Sequence, residues 1–181
     1  MSATAAAVVA VVGIIGLINL VLCLGIIRRL REHTEILDSR LGGGTGGRPT
    51  PMHAAGVTVG EFDAITVDGA AVSRSMLTGT TLVGLFSPGC APCQERLPTF
   101  VAQATHHRGE VLAVVAGSAE DATTYIEELR PVARVVREDE HGPVATALGV
   151  EGFPSFALLD ADGVVLASGA QVSALAPAVP A

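Results

Sequence analysis

Apolar and polar positions follow three regimes along the chain. The first is continuous. After a short tail, residues 1–4, the stretch Ala5 to Ile27 is a 23-residue run with no charge and one amide, Asn19. As a helix it is about 35 Å long, enough to cross a hydrocarbon core of about 30 Å. A cleaved signal peptide is the competing reading. Against it, no basic segment precedes the run, the run is longer than a usual signal core, and no Ala-x-Ala site follows. Residues 5–27 are therefore read as a transmembrane helix, with Arg28, Arg29 and Arg31 directly behind it.

The second regime is polar with a weak apolar seam. Residues 28–41 place Leu30, Thr34, Leu37 and Leu41 on one side of a helix, too short a repeat for a coiled coil. They read as a juxtamembrane helical stalk. Residues 42–57 begin GGGTGGRPTPM and read as a flexible Gly/Pro-rich linker.

The third regime, residues 58–181, alternates between strand-like and helix-like periods. Glu61 to Val67 followed by Asp68-Gly69 predicts a strand and a tight turn. Thr81 to Phe86 and Val111 to Ala116 are short apolar runs fit for buried strands. Between them, Leu97, Phe100, Val101 and Ala104 form a helical stripe from Cys90 to about His106. Ser118 and Asp121 predict a capped helix start reaching Leu129. Val132 to Val136 predicts a strand, and Gly142 to Leu148 a short helix stopped by Gly149. Ser155 to Asp160 and Val164 to Ser168 predict a closing hairpin. Strands alternating with helices predict an α/β domain with helices packed on a sheet.

Composition narrows the function. Net charge is −7, and all eleven basic residues are arginine, with no basic stripe for a phosphate backbone. Aromatic content is 3% with no tryptophan, which leaves no platform for stacking bases. Nucleic acid is not an expected partner.

Of three cysteines, Cys23 lies in the apolar run, and Cys90 and Cys93 form Cys90-Ala91-Pro92-Cys93. The pair follows a buried strand and opens a helix. Unpaired backbone N–H groups and the positive end of the helix dipole there favour a thiolate, so reduced Cys90 should ionise below the free value of about 8.5. Thiolate is the attacking species in disulfide exchange. Cys93, one turn on, can resolve the mixed disulfide, and Pro92 suits a first turn whose N–H groups lack partners. Half of a zinc site is the alternative, but zinc needs three or four protein ligands, and no second Cys-x-x-Cys or finger-like histidine pair exists.

The stretches Val67-Asp68-Gly69, Leu82 to Cys93, Leu97-Pro98 and Gly149-Val150-Glu151-Gly152-Phe153-Pro154-Ser155 together resemble the thioredoxin superfamily, in particular its membrane-anchored TlpA/ResA-like branch with MauD-type members. The resemblance spans about residues 58–170. It implies a thioredoxin-like fold, a central mixed sheet flanked by helices, as the domain of residues 58–181. It also implies that Pro154 follows a cis bond facing the cysteine pair and that the Phe153 backbone pairs with a bound substrate strand. Gly89, Ala91 and Pro92 complete the expected neighbourhood of Cys90 and Cys93.

The sequence departs from the family in three places. Gly89 stands where the family usually has tryptophan. Gly84 stands where thioredoxin has a buried acid. Arg96 stands where many members have glutamate, with Glu95 one place earlier, so no proton-handling group is identified.

The expected activity is thiol–disulfide exchange, as a protein disulfide reductase or maturation factor. It needs no cofactor or metal beyond the redox-active Cys90–Cys93 disulfide. Expected partners are client protein thiols and disulfides, an upstream electron donor such as a membrane thiol-redox protein, and membrane lipid through residues 5–27. Two alternatives stand beside it. One is a peroxiredoxin-like thiol peroxidase, suggested by Ser87 three residues before Cys90 but opposed by Val83 where that family has proline. The other is a non-catalytic, membrane-displayed interaction module. The expected location is the cell membrane, single-pass. Taken alone, the flanking arginines would hold the globular domain in the cytoplasm. The resemblance puts it outside, and an extracytoplasmic domain is the reading adopted.

Overall fold

The computed structural model describes residues 50–178, with side chains to Leu175, and also the isolated residue Gly13. The expected transmembrane helix 5–27, the stalk 28–41 and the first part of the linker lie outside the described residues. Among those described, no helix is long and apolar enough to cross a membrane.

Among the described residues, seven strands and three α-helices follow in the order β1 (Asp63–Ile65), β2 (Ala71–Ser73), β3 (Thr81–Phe86), α1 (Ala91–His106), β4 (Glu110–Ala116), α2 (Ala119–Leu129), β5 (Arg134–Glu138), α3 (Pro143–Ala147), β6 (Ser155–Leu159) and β7 (Val165–Gly169). Short 3-10 turns cover Arg74–Met76 and Val172–Ala178. The main sheet runs β5-β4-β3-β6-β7. β3 is parallel to β4 and β4 to β5, whereas β6 is antiparallel to both β3 and β7. The sheet is mixed, as a helical crossover between parallel strands and a closing hairpin require.

Every residue of β3 and β6 is buried. Successive side chains on β3 enter opposite faces. Val83 and Leu85 meet Leu112, Val114, Ala157 and Leu159 on the face that also holds Val144 and Leu148 at the α3 end. Leu82 and Phe86 meet Val115, Phe156 and Leu158 on the face covered by α1, α2 and the last 3-10 turn through Phe100, Tyr125, Leu129 and Leu175. Covering both faces suits the central strands' continuous apolar runs.

The expected strand over Glu61–Val67 is shorter, and its partner β2 was not expected. The hairpin turns through Thr66 to Ala70, with Gly69 at φ +82°. It is tied to the edge strand β5 by a bridge between Thr66 and Val136 and by the Val67 N–H donating to the Val135 carbonyl at 2.8 Å.

The linker reading over 42–57 needs correction for residues 50–57. Met52 is buried, the His53 N–H donates to the Leu148 carbonyl at 3.0 Å, and the Gly56 N–H donates to the Val165 carbonyl at 2.8 Å. Pro49 to Ala181 forms one compact unit. The Gly/Pro composition hid this, because the anchoring is made by one apolar side chain and by backbone groups.

Candidate active site

The cysteine pair sits where β3 gives way to α1. β3 ends at the buried Phe86, and Ser87-Pro88-Gly89 turns the chain. Gly89 has φ +79°, a conformation that favours glycine, and a Cβ built there meets nothing within 4 Å. Cys90 is the N-cap of α1. Its sulfur lies 3.3 Å from the Cys93 N–H, which donates to it. The cap sulfur thus accepts from one of the donors that a helix start leaves unpaired. Ala91 and Pro92 are the exposed first two residues of the helix.

Cys90 and Cys93 are joined in a disulfide, with their Cα atoms 5.2 Å apart. Their surroundings differ. Cys93 is fully buried, whereas Cys90 is half-buried. An approaching sulfur therefore has access to Cys90 and not to Cys93.

Phe153 reaches Cys90 from the loop between α3 and β6, with Pro154 next in the chain. The Phe153 carbonyl oxygen is 3.6 Å from the Cys90 sulfur, and a Cys90 thiol would donate to it. The Phe153–Pro154 peptide is cis, the isomer the resemblance implies. The loop is held from both sides. Gly149, at φ +60°, ends α3, and the Val150 N–H donates to the Ala145 carbonyl. The Ser155 hydroxyl donates to the Gly152 carbonyl. The leading segment braces it further, since the Pro51 carbonyl accepts from the Glu151 N–H at 2.8 Å and lies 3.3 Å from the Ser155 hydroxyl oxygen.

Beneath the pair is an aromatic cluster. Phe86 meets Phe100 edge-on at 5.3 Å between ring centroids and Phe156 at 5.6 Å, and Tyr125 lies 6.0 Å from Phe86. Gly84 explains the missing acid. A Cβ there would stand 2.5 Å from the Phe100 ring, so the ring occupies the space that an acidic side chain would need. Glu95 is exposed and Arg96 partly so. The Ser87 hydroxyl donates to the Pro88 carbonyl at 3.4 Å.

One residue of the neighbourhood was not singled out from the sequence. Glu138, 8% exposed at the end of β5, accepts from the N–H groups of Val144 and Ala145 at 3.0 and 2.8 Å and so caps α3. Burial pushes its carboxyl above the ordinary glutamate value. The two backbone donors pull the other way, and Asp139 adds to the rise. Its sequence signal is faint, an acid shortly before Gly142-Pro143. Among the described residues, no three His, Cys, Asp or Glu side chains gather to hold a metal ion.

No family model and no curated protein matches the chain. Solved structures do. The thioredoxin domain of a thiol-disulfide oxidoreductase from Bacteroides vulgatus superposes with a TM-score of 0.57 at 23% identity, covering 70% of this chain and 96% of that one. The fold is thioredoxin-like. A thiol-disulfide oxidoreductase from Bacteroides fragilis aligns on the same thioredoxin-like domain with a TM-score of 0.57 at 18% identity, over 67% of this chain and 96% of that one. A thiol:disulfide interchange protein from Bacteroides sp. gives 0.51 at 22% identity, over 66% and 82%. Within this thioredoxin-like domain, the Phe153 carbonyl meets the sulfur of the Cys90–Cys93 pair at one end of the sheet.

Proposed function

We propose that the chain is a membrane-tethered thiol–disulfide oxidoreductase of the TlpA/ResA-like, MauD-type branch, acting as a protein disulfide reductase or maturation factor. The observation that carries this reading is the asymmetry of the pair, an accessible Cys90 sulfur at a helix start bonded to a buried Cys93. In the dithiol form, the Cys90 thiolate attacks a client disulfide. A Cys90–client disulfide forms, and one client sulfur leaves as a thiolate that takes up a proton. Cys93 loses its proton and attacks the Cys90 sulfur, the second client sulfur leaves, and the Cys90–Cys93 disulfide closes. Two electrons have passed to the client. An upstream dithiol protein, membrane-bound in this reading, returns them by the same exchange in reverse. No cofactor or metal enters the cycle.

The Phe153 backbone, beside the Cys90 sulfur, would pair with an extended client segment, while Gly89, Ala91 and Pro92 border the approach. Residues 5–27 would anchor the chain in the cell membrane as a single pass, with the domain outside the cytoplasm. A peroxidase needs the Ser87 hydroxyl at the reacting sulfur, and that hydroxyl is turned to the Pro88 carbonyl.

Trapping tests the assignment of roles. Cys93→Ser should accumulate a covalent mixed disulfide through Cys90, and Cys90→Ser should not. Equal trapping by both variants, or faster consumption of peroxide than of insulin disulfides, would end this reading. Reporter fusions on either side of residues 5–27 test the orientation.

A further inference from the structure

Between α1 and α2, reaching Gly89 next to Cys90 in the chain, lies a groove of about 470 Å³ lined by Gln94, Leu97, Asp121, Thr124, Tyr125 and Glu128 together with two prolines. Its volume falls within the roughly 300–1,000 Å³ usual for ligand sites. Gly89 is the immediate neighbour of Cys90 in the chain and contributes no side chain, and the space where its Cβ would stand is open.

We propose that this groove receives a basic side chain, lysine or arginine, of the client polypeptide, lying one or two residues from the client's reacting cysteine. The proposal rests on the thiol–disulfide reading and adds to it a substrate class. The reach is set by the chain itself, since each extended residue spans about 3.3–3.6 Å, and a client joined to Cys90 carries its nearest side chains over the groove.

The chemistry of the lining selects the cation. Two carboxylates, Asp121 and Glu128, face the groove, and no arginine or histidine is among its lining residues. Asp121 is oriented by the Ser118 hydroxyl, which donates to it at 2.6 Å. Tyr125 is 5% exposed, and its hydroxyl is buried with no hydrogen-bond partner among the described residues. Burial and then the charge of Glu128 hold its proton more tightly than in an ordinary tyrosine, so the carboxylate is felt at the ring. Two carboxylates beside an unpartnered tyrosine hydroxyl attract an ammonium or guanidinium group by charge and can accept its hydrogen bonds. Leu97 and the two prolines can pack against the aliphatic stem of such a side chain, and an acidic client residue would be repelled.

The test follows full-length protein reducing disulfide-linked peptides that carry Arg, Ala or Glu beside the cysteine. The Arg peptide should react about fivefold faster than the Ala peptide at low salt, and the Glu peptide should be slowest. Glu128→Gln should lower the Arg-to-Ala ratio, Glu128→Lys should invert it, and Thr124→Trp, an exposed position that fills the groove, should bring it near one. The Ala peptide reports in each variant whether the redox pair still works. Asp63→Asn, which removes a charge from β1, should keep both turnover and preference. Turnover without preference, or a preference lost equally in Asp63→Asn, would overturn the groove proposal and leave disulfide exchange standing. Failure to reduce any peptide would remove the exchange reading and the groove proposal with it.

Discussion

Glu138 carries a carboxyl group into the interior and holds it there with two backbone donors. Because burial raises its pKa, the native state keeps a proton that the unfolded chain has already lost, so this residue's contribution to stability falls as pH rises. The contribution is fully present below the ordinary glutamate range and is lost as pH passes through the raised value. Urea midpoints measured from mildly acidic to neutral pH should therefore decline less steeply in Glu138→Gln than in the parent. Glu138→Ala should cost about 1–3 kcal/mol at neutral pH by leaving buried N–H groups unpaired. Gly84 is the other decisive residue. Gly84→Ala forces a methyl group against Phe100 and should lower stability by about 1–3 kcal/mol in the same measurement. Neither constraint could be read from the sequence. The Phe100 ring crosses from α1 to β3, and the Glu138 carboxylate leaves a strand to cap a helix that begins after a turn.

Among the elements, those built from local chemistry were legible. Thr81–Phe86 is the strand its apolar run predicts. Cys90 caps α1, and Ser118 caps α2, where its hydroxyl accepts from the Asp121 N–H. Gly149 stops α3 at positive φ. β2 was missed because three residues, Ala71 to Ser73, carry too little periodicity to register, and their identity as a strand comes from pairing with β1. The chain's end held a different lesson. The few residues after Ser168 imply that the final helix usual in the resembling family is short or frayed, and the chain forms a 3-10 turn over Val172–Ala178 that buries Val172 and Leu175. Leu175→Ala should then cost about 2–5 kcal/mol in a thermal or urea melt, as for other core leucines. A loss near zero would mean that this turn is ornamental to the core.

At the scale of the whole molecule, sheet order was the least legible property, because β3 chooses β6 as neighbour across α1, β4, α2, β5 and α3. The cysteine pair and Pro154 were legible as motifs, and the fold explains their meeting, since β3 and β6 are adjacent and the residues in question lie at the same end of both. The start of the domain was not legible. A chain beginning at Pro49 should be more stable to urea than one beginning at Ala55 by about 2–3 kcal/mol, chiefly from Met52. That leading segment has a mechanical side. Pro51 and His53 lie along the stretch from Leu148 to Ser155, and the His53 ring occupies the place where any side chain at Gly149 would go. Tension applied at residue 50 is thus delivered to the Phe153–Pro154 loop before it reaches the sheet.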